Sequence, residues 1–174
     1  MFRLVVVCSL LVWVLPTSPP LFDYAYNVPF NYSCVRKGIP YHTQGHLFYD
    51  GVKRKERIDL ENGRHEFFCG SIRKGVDSRC RSVTIGTMRW YIHLDEEECC
   101  LCCDKHVCGI LRPDWLQKGD YHGMTLIDDV YYDVWHHTGF TSEDYLYVTR
   151  DSNQYPRRLS ESGNPIFDYD LKKF

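Results

Sequence analysis

The chain has 174 residues and a formal net charge of −2, from 21 Lys and Arg against 23 Asp and Glu. Its basic residues form no broad patch, so the charge pattern argues against nucleic-acid binding, which needs a basic face. Aromatic residues make up 15% of the chain and include 13 tyrosines, a content that favours β-structure.

The first twenty residues are typical of a secretory signal. Arg3 precedes an apolar segment over residues 4–15, and Pro16 follows it. This segment is too short for a bilayer, which takes about 20 residues to cross, and no later segment is longer. The sequence therefore predicts a signal peptide over residues 1–20, no transmembrane helix and a secreted protein.

Residues 21–42 contain several prolines and are predicted to form an extended lead-in to a single domain over residues 43–174. Asn31-Tyr32-Ser33 is a glycosylation sequon, so Asn31 is a candidate glycosylation site of a secreted glycoprotein. We expect Cys34 to tie this lead-in to the domain.

Two hairpin signals open the predicted domain. Asp50-Gly51 and Asn62-Gly63 are dipeptides that favour tight turns between antiparallel strands. They predict three strands, over residues 45–49, 52–60 and 65–72.

The clearest strand pattern lies at residues 88–95, after a turn at Gly86-Thr87. Apolar residues alternate there with polar or aromatic ones, which is the period of a strand with one buried face. The first set is Met88, Trp90, Ile92 and Leu94, and the second is Arg89, Tyr91, His93 and Asp95.

The rest of the chain continues this all-β pattern. A short helix is expected at residues 113–116, and strands are expected over residues 121–127, 130–136, 144–150, 154–160 and 166–169. With no long amphipathic helix, the simplest architecture is one curved antiparallel sheet, a half-open β-barrel stapled by disulfides.

Several short motifs on these strands resemble those of the ependymin-related proteins. They are Tyr49-Asp50 with Arg54 and Arg57-Ile58, Trp90-Tyr91-Ile92, Val134-Trp135, Tyr147-Val148-Thr149 and Tyr155-Pro156. That family shares a half-open barrel with bacterial lipoprotein carriers of the LolA and LppX type. The resemblance implies a concave apolar face for a lipid, and calcium as a possible ligand of residues 95–98. Tyr155 stands where those proteins carry a cysteine, so the disulfide pattern must differ.

Cysteines are the other conspicuous feature. Once Cys8 is removed with the signal, an even number remains, which is typical of a disulfide framework in a secreted domain. The candidates are Cys34, Cys69, Cys80, Cys99, Cys100, Cys102, Cys103 and Cys108. Cys99 and Cys100 should have different partners, because neighbours on an extended chain point to opposite faces. The alternative is a small zinc site formed by Cys99, Cys102, Cys103 and His106.

No motif points to catalysis. The chain has no G-x-S-x-G elbow, no glycine-rich phosphate loop and no H-E-x-x-H pair. We therefore expect a protein that is not an enzyme and needs no cofactor.

The apolar residues of the strands suggest a function. With one short helix available, a large curved sheet has little to cover its inner face, and an uncovered apolar face is a liability in water. The candidate ligand-binding residues are Phe48, Phe67, Trp90, Ile92, Leu126 and Trp135. The favoured hypothesis is a secreted binding protein for a lipid or other hydrophobic molecule. The alternative is an extracellular structural or interaction protein whose concave face is filled.

Overall fold

The computed structural model describes residues 18–22, 25–66, 69–72, 77–103, 108–139 and 143–174. Within these residues the protein is all-β, with short helical segments only. The strands are β1 (Ala25–Arg36), β2 (Ile39–Asp50), β3 (Lys55–Leu60), β4 (Cys80–Ile85), β5 (Met88–His93), β6 (Glu98–Cys103), β7 (Asp120–Ile127), β8 (Val130–Thr138), β9 (Glu143–Val148), β10 (Pro156–Glu161) and β11 (Ile166–Tyr169). The helical segments are α1 (Cys69–Ile72) and two 3-10 helices, Trp115–Lys118 and Leu171–Lys173.

All eleven strands belong to one antiparallel sheet, which is curved and does not close. Their order is β6-β5-β4-β3-β2-β1-β11-β10-β9-β8-β7. The central strand β1 pairs with β2 on one side and with β11 on the other. It therefore joins an N-terminal half, β1 to β6, to a C-terminal half, β7 to β11.

Most of the predicted turns are confirmed. Chain reversals at residues 51–54, 86–87 and 128–129 connect β2 to β3, β4 to β5 and β7 to β8. Asp128 and Asp129 both have positive φ angles, of 49° and 62°, as a two-residue hairpin turn with strand-matched twist requires.

Two predicted segments differ from the structure. The strand predicted over 65–72 is wrong, since residues 69–72 form α1 and β3 pairs directly with β4. The predicted lead-in, 21–42, contains β1 and the start of β2, so the sheet begins well before residue 43. Residues 1–17 of the predicted signal lie outside the described residues, and Pro20 within it is buried.

Alternation in β5 was predicted correctly, but the buried face is the opposite one. Tyr91 and His93 are 3% and 2% exposed, whereas Met88 is 43% exposed. The cross-strand partners explain which face of β5 is buried. Tyr91 lies beside Ser82 and Arg89 beside Thr84, on the face that carries the buried residues of β4.

Two apolar clusters form the core of the concave face. The larger centres on β1 and β2 and extends to Tyr91 on β5. The smaller contains Leu116, Trp135, Leu146 and Val148 and belongs to the C-terminal half. None of the described helices has the length and apolar character needed to cross a membrane.

Candidate ligand-binding cavity

The concave face is built from every second residue of each strand. On β1 these are Tyr26, Val28, Phe30 and Tyr32, of which the last three are at most 4% exposed. The register continues the same face across the sheet, since Val28 lies opposite Leu47 and Tyr32 opposite Phe167. The face therefore presents a continuous aromatic and aliphatic wall.

A segment over residues 108–118, here called the crossing segment, passes over this wall. It connects β6 to β7, which are the two opposite edges of the sheet, so the chain must cross a face to reach the second edge. The Tyr49 hydroxyl donates a hydrogen bond to the Leu111 carbonyl at 2.6 Å. At the far end Leu116 is fully buried against the smaller core cluster.

A cavity of about 670 Å³ remains between the wall and the crossing segment. This volume lies within the range of small-molecule sites, which are about 300–1,000 Å³. Most of its lining is apolar. The apolar lining comprises Phe22, Tyr26, Phe30, Leu47, Tyr49, Ile58, Leu60, Tyr91, Ile110, Leu111, Trp115, Leu146, Pro156, Leu159, Pro165, Phe167 and Tyr169.

One region of the cavity is charged. Arg89 donates through Nε to the Thr84 hydroxyl at 2.8 Å and through Nη2 to the Gly109 carbonyl at 2.7 Å. The same Nη2 lies 3.6 Å from Oε1 of Glu56, whose side chain is 13% exposed. Burial raises the pKa of the Glu56 carboxyl, and Arg89 opposes that shift.

Three further carboxylates face this region. Glu161 and Asp144 lie opposite each other on β10 and β9, and Glu66 accepts a hydrogen bond from the Cys69 amide at 2.7 Å. Burial, and then the charges of Asp144 and Glu66, raise the pKa of Glu161 to about 7. The cavity thus has an apolar wall and an acidic end.

A second depression, of about 760 Å³, differs in character. It is open and lined largely by polar and charged residues. Its arginines are engaged in ion pairs, such as Arg81 with Asp59 at 2.6 Å and Arg157 with Asp168 at 3.1 Å. It therefore offers less apolar surface to a hydrophobic ligand than the first cavity does.

Of the six predicted ligand-binding residues, the five that the structure describes do not line the cavity. Phe48 faces the convex side, where the Arg57 guanidinium lies 3.8 Å from its ring centre. Trp90 and Ile92 share that side, because they alternate with the buried Tyr91.

Leu126 and Trp135 do not line the cavity either. Leu126 is 53% exposed, near the β7–β8 turn, and Trp135 is buried in the smaller core cluster. Phe67 lies outside the described residues. The actual lining comes largely from β1, β2, β3, β10 and the crossing segment. The available sequence signal was the alternation of apolar residues over 26–32, which lie on β1.

Four of the eight candidate cysteines form disulfides in the structure. Disulfides join Cys69 to Cys80 and Cys103 to Cys108. Four remain unpaired in the structure, namely Cys34, Cys99, Cys100 and Cys102. Within the described residues Cys34 does not tie the predicted lead-in to the domain by a disulfide, and its thiol donates to the His65 carbonyl at 3.5 Å. Cys103–Cys108 is a local link, and the different partners expected for Cys99 and Cys100 are not formed.

The alternative zinc site is not assembled by the described residues. Cys103 is oxidised to a disulfide and is unavailable to a metal, and His106 lies outside the described part of the chain. No group of three or more metal-ligating side chains occurs in the described ranges.

The structure describes the surroundings of Asp95, one of the expected calcium ligands, and of the candidate glycosylation site Asn31. Asp95 accepts two hydrogen bonds from the Arg79 side chain, at 2.9 Å and 2.7 Å, so its carboxylate is already neutralised. Asn31 is exposed on the convex side of β1.

Comparisons with known proteins place part of this chain in context. A family model described as "Domain of unknown function (DUF8395)" matches residues 72–151, from the end of α1 through β9. No curated protein matches the chain at a significant level. The matching family model is not that of the ependymin-related proteins, so that resemblance remains an expectation from the sequence.

Two solved structures are similar to this chain over most of its length. An uncharacterized conserved protein from Thermus thermophilus is 7% identical, covers 82% of this chain and 75% of its own, and gives a TM-score of 0.48. A DUF1329 family protein from Desulfovibrio piger is 10% identical, covers 86% of this chain and 85% of its own, and gives a TM-score of 0.39.

Proposed function

We propose that this is a secreted, non-enzymatic binding protein that holds a lipid or other hydrophobic molecule in the cavity of its concave face. The observation that carries the proposal is the cavity of about 670 Å³, walled by apolar side chains of β1, β2 and β10 and covered by the crossing segment. Protein interiors are otherwise close-packed, so a largely apolar cavity of this size is a natural site for a hydrophobic molecule.

Secretion rests on independent features. Residues 1–20 have the composition of a signal peptide, and the two disulfides are typical of proteins that fold in an oxidising compartment. The absence of a recognised catalytic motif from the sequence supports a carrier over an enzyme.

A cavity-filling variant tests the proposal. Leu159 is half-buried, lines the cavity and lies opposite Leu146 and Phe167. Leu159→Trp places a larger ring in the space that the ligand needs. Leu101→Trp is the matched control, because Leu101 is 55% exposed on the convex side of β6.

Titration with the neutral fluorophore Nile red measures the site. We expect saturable binding by the parent protein and by Leu101→Trp, and an affinity at least about tenfold lower for Leu159→Trp. Thermal melting confirms that each variant is folded. Absence of saturable binding, or equal affinity in all three proteins, would favour the alternative of an extracellular structural protein.

A further inference from the structure

Exposed apolar side chains are concentrated at one end of the sheet. Neighbouring strands are all antiparallel, so the β2–β3, β4–β5 and β7–β8 turns lie at the same end as the start of the crossing segment. The exposed large apolar residues at this end include Leu21, Val52, Ile85, Met88, Leu111 and Val130, whereas those at the opposite end are Val35, Ile39 and Tyr121. Single exposed apolar residues are ordinary, but a concentration of them marks an interaction surface.

The loops at this end contact one another beside the cavity. The Gly86 amide donates to the Arg54 carbonyl at 2.8 Å, which joins the β4–β5 turn to the β2–β3 turn. The β2–β3 turn also contacts the crossing segment, since a β-carbon at Gly51 would lie 2.9 Å from Cγ of Pro113. The resulting surface, here called the tip surface, presents Val52, Ile85, Met88 and Leu111, which are 71%, 43%, 43% and 45% exposed.

Basic side chains surround these apolar residues. The exposed bases of the tip surface are Lys53, Arg54, Lys55 and Arg112. Within its described residues, the facing carboxylates are those of Asp50, 3.5 Å from Lys53, and Asp114, 2.7 Å from Arg112. The tip surface therefore has an excess of positive charge. Exposed ion pairs of this kind are weak, so the paired bases are also available to an anionic partner.

The tip surface is continuous with the cavity. Leu111 and Arg112 belong to the cavity lining and are also exposed on the tip surface. A molecule held in the cavity thus lies beside whatever this surface contacts.

The pattern of side chains favours a lipid surface over a folded protein partner. The apolar residues project from separate turns and do not form one flat face, and along residues 52–55 one apolar residue is followed by three bases. Apolar side chains can insert between lipid head groups, while long basic side chains reach the phosphates around them.

We propose that the tip surface docks onto an anionic lipid bilayer, with Val52, Ile85 and Leu111 among the head groups and the four bases against the phosphates. This inference goes beyond the proposed function, because docking needs no ligand in the cavity. Burial of apolar area and attraction to anionic lipid both contribute to binding of such a surface.

Sedimentation of the full secreted chain with lipid vesicles tests the docking. One preparation is phosphatidylcholine alone, and the other is an equal mixture of phosphatidylcholine and phosphatidylserine. We expect at least about tenfold tighter binding to the anionic vesicles, and weaker binding as salt is added. Equal binding to both preparations, or binding to neither, would overturn the inference and favour a protein partner for this end.

A variant at an apolar position locates the contact. Val52→Asp should weaken binding to the anionic vesicles by at least about tenfold, because a carboxylate replaces an apolar group among anionic lipids. Ile39→Asp is the matched control, since Ile39 is 54% exposed at the opposite end of the sheet. Equal losses in the two variants, or no loss in Val52→Asp, would contradict the assigned surface.

A second pair of variants tests the charge. Arg54→Gln should weaken binding by about fivefold, which is the effect of one cation at an anionic surface. Lys37→Gln is the matched control, because Lys37 is exposed in the turn at the opposite end and has a positive φ angle like that of Arg54, 50° against 53°. Unchanged binding by Arg54→Gln would show that the bases of the tip surface do not face the lipid.

Nile red titration without vesicles separates this inference from the proposed function. Val52 does not line the cavity, so Val52→Asp should bind Nile red as the parent does, which also confirms that the variant is folded. Nile red binding without vesicle binding would overturn the docking surface alone. Vesicle binding without Nile red binding would support the docking surface and count against the proposed cavity function.

Discussion

At the scale of single residues, the sequence predicts alternation but not which face is buried. In β5 the apolar character of Trp90 and Ile92 predicts that their side chains are buried, yet the sheet buries Tyr91 and His93. Arg89 lies on that same inner side because Glu56 and Thr84 supply its partners from two other strands. Such a partnership depends on strand register across the sheet, which a period-two pattern does not contain.

The raised pKa of Glu161 has a consequence for stability. The folded protein holds this proton up to about pH 7, whereas the unfolded chain loses it near its ordinary value of 4.5. The folded state therefore binds more protons between these values, and the contribution of Glu161 to stability falls as the pH rises through them.

Glu161→Gln removes the destabilisation that ionisation of the buried Glu161 carboxyl causes at neutral pH and above. We expect the variant to be more stable than the parent by about 2 kcal/mol above about pH 7, and the difference to shrink towards pH 5. Urea unfolding at both pH values measures it, with Glu97→Gln, at an exposed turn position, as the control. A difference that is the same at both pH values would show that burial does not perturb the Glu161 carboxyl.

At the scale of elements, turn chemistry predicts most hairpins, and one failure is instructive. Asp50-Gly51, Gly86-Thr87 and Asp128-Asp129 all lie in turns between neighbouring strands. Asn62-Gly63 does not, because the Gly63 amide donates to the Ser78 carbonyl at 2.8 Å and β4 takes the place beside β3. A β-carbon at Gly63 would lie 2.5 Å from Cβ of Cys80 and 3.1 Å from Cβ of Cys69, so the close approach to this disulfide needs glycine.

The Cys69–Cys80 disulfide fixes α1 to the start of β4. Both cysteines are at most 1% exposed, and the bond closes a loop with a sequence separation of 11. Replacing both by Ser should lower the free energy of unfolding by about 3 kcal/mol, because the unfolded chain regains the freedom of that loop. Urea unfolding measures the loss. Cys99→Ser, an exposed and unpaired position, should have no effect, and equal stability of all three proteins would refute this role.

The crossing segment is held over the cavity by the hydrogen bond from Tyr49 to the Leu111 carbonyl. Tyr49→Phe leaves that carbonyl without its donor, at a cost of about 1 kcal/mol. We expect faster hydrogen exchange in residues 108–114 and faster release of Nile red.

Hydrogen exchange followed by mass spectrometry reports on the segment directly. Tyr131→Phe is the matched control, since Tyr131 is 57% exposed near the β7–β8 turn. Unaltered exchange in Tyr49→Phe would mean that other contacts, such as burial of Leu116, hold the segment without this bond.

At the scale of the whole molecule, the all-β class and the curved, open sheet were predictable, but the position of β1 was not. Prolines in residues 21–42 suggested a lead-in, yet Pro29 lies on β1, the strand at which the two halves meet. The pairing of β1 with β11 joins segments that are far apart in the sequence, so the local sequence pattern does not predict it. The crossing segment follows from the same topology, since it joins opposite edges of the sheet.

The central claim, that the cavity between sheet and crossing segment holds a hydrophobic molecule, is tested most directly by native mass spectrometry. The full chain is secreted from eukaryotic cells, and its native and denatured masses are compared. We predict extra mass on the native protein that denaturation releases and an organic solvent extracts, and its absence from Leu159→Trp. Native and denatured masses that agree apart from glycan would contradict the account.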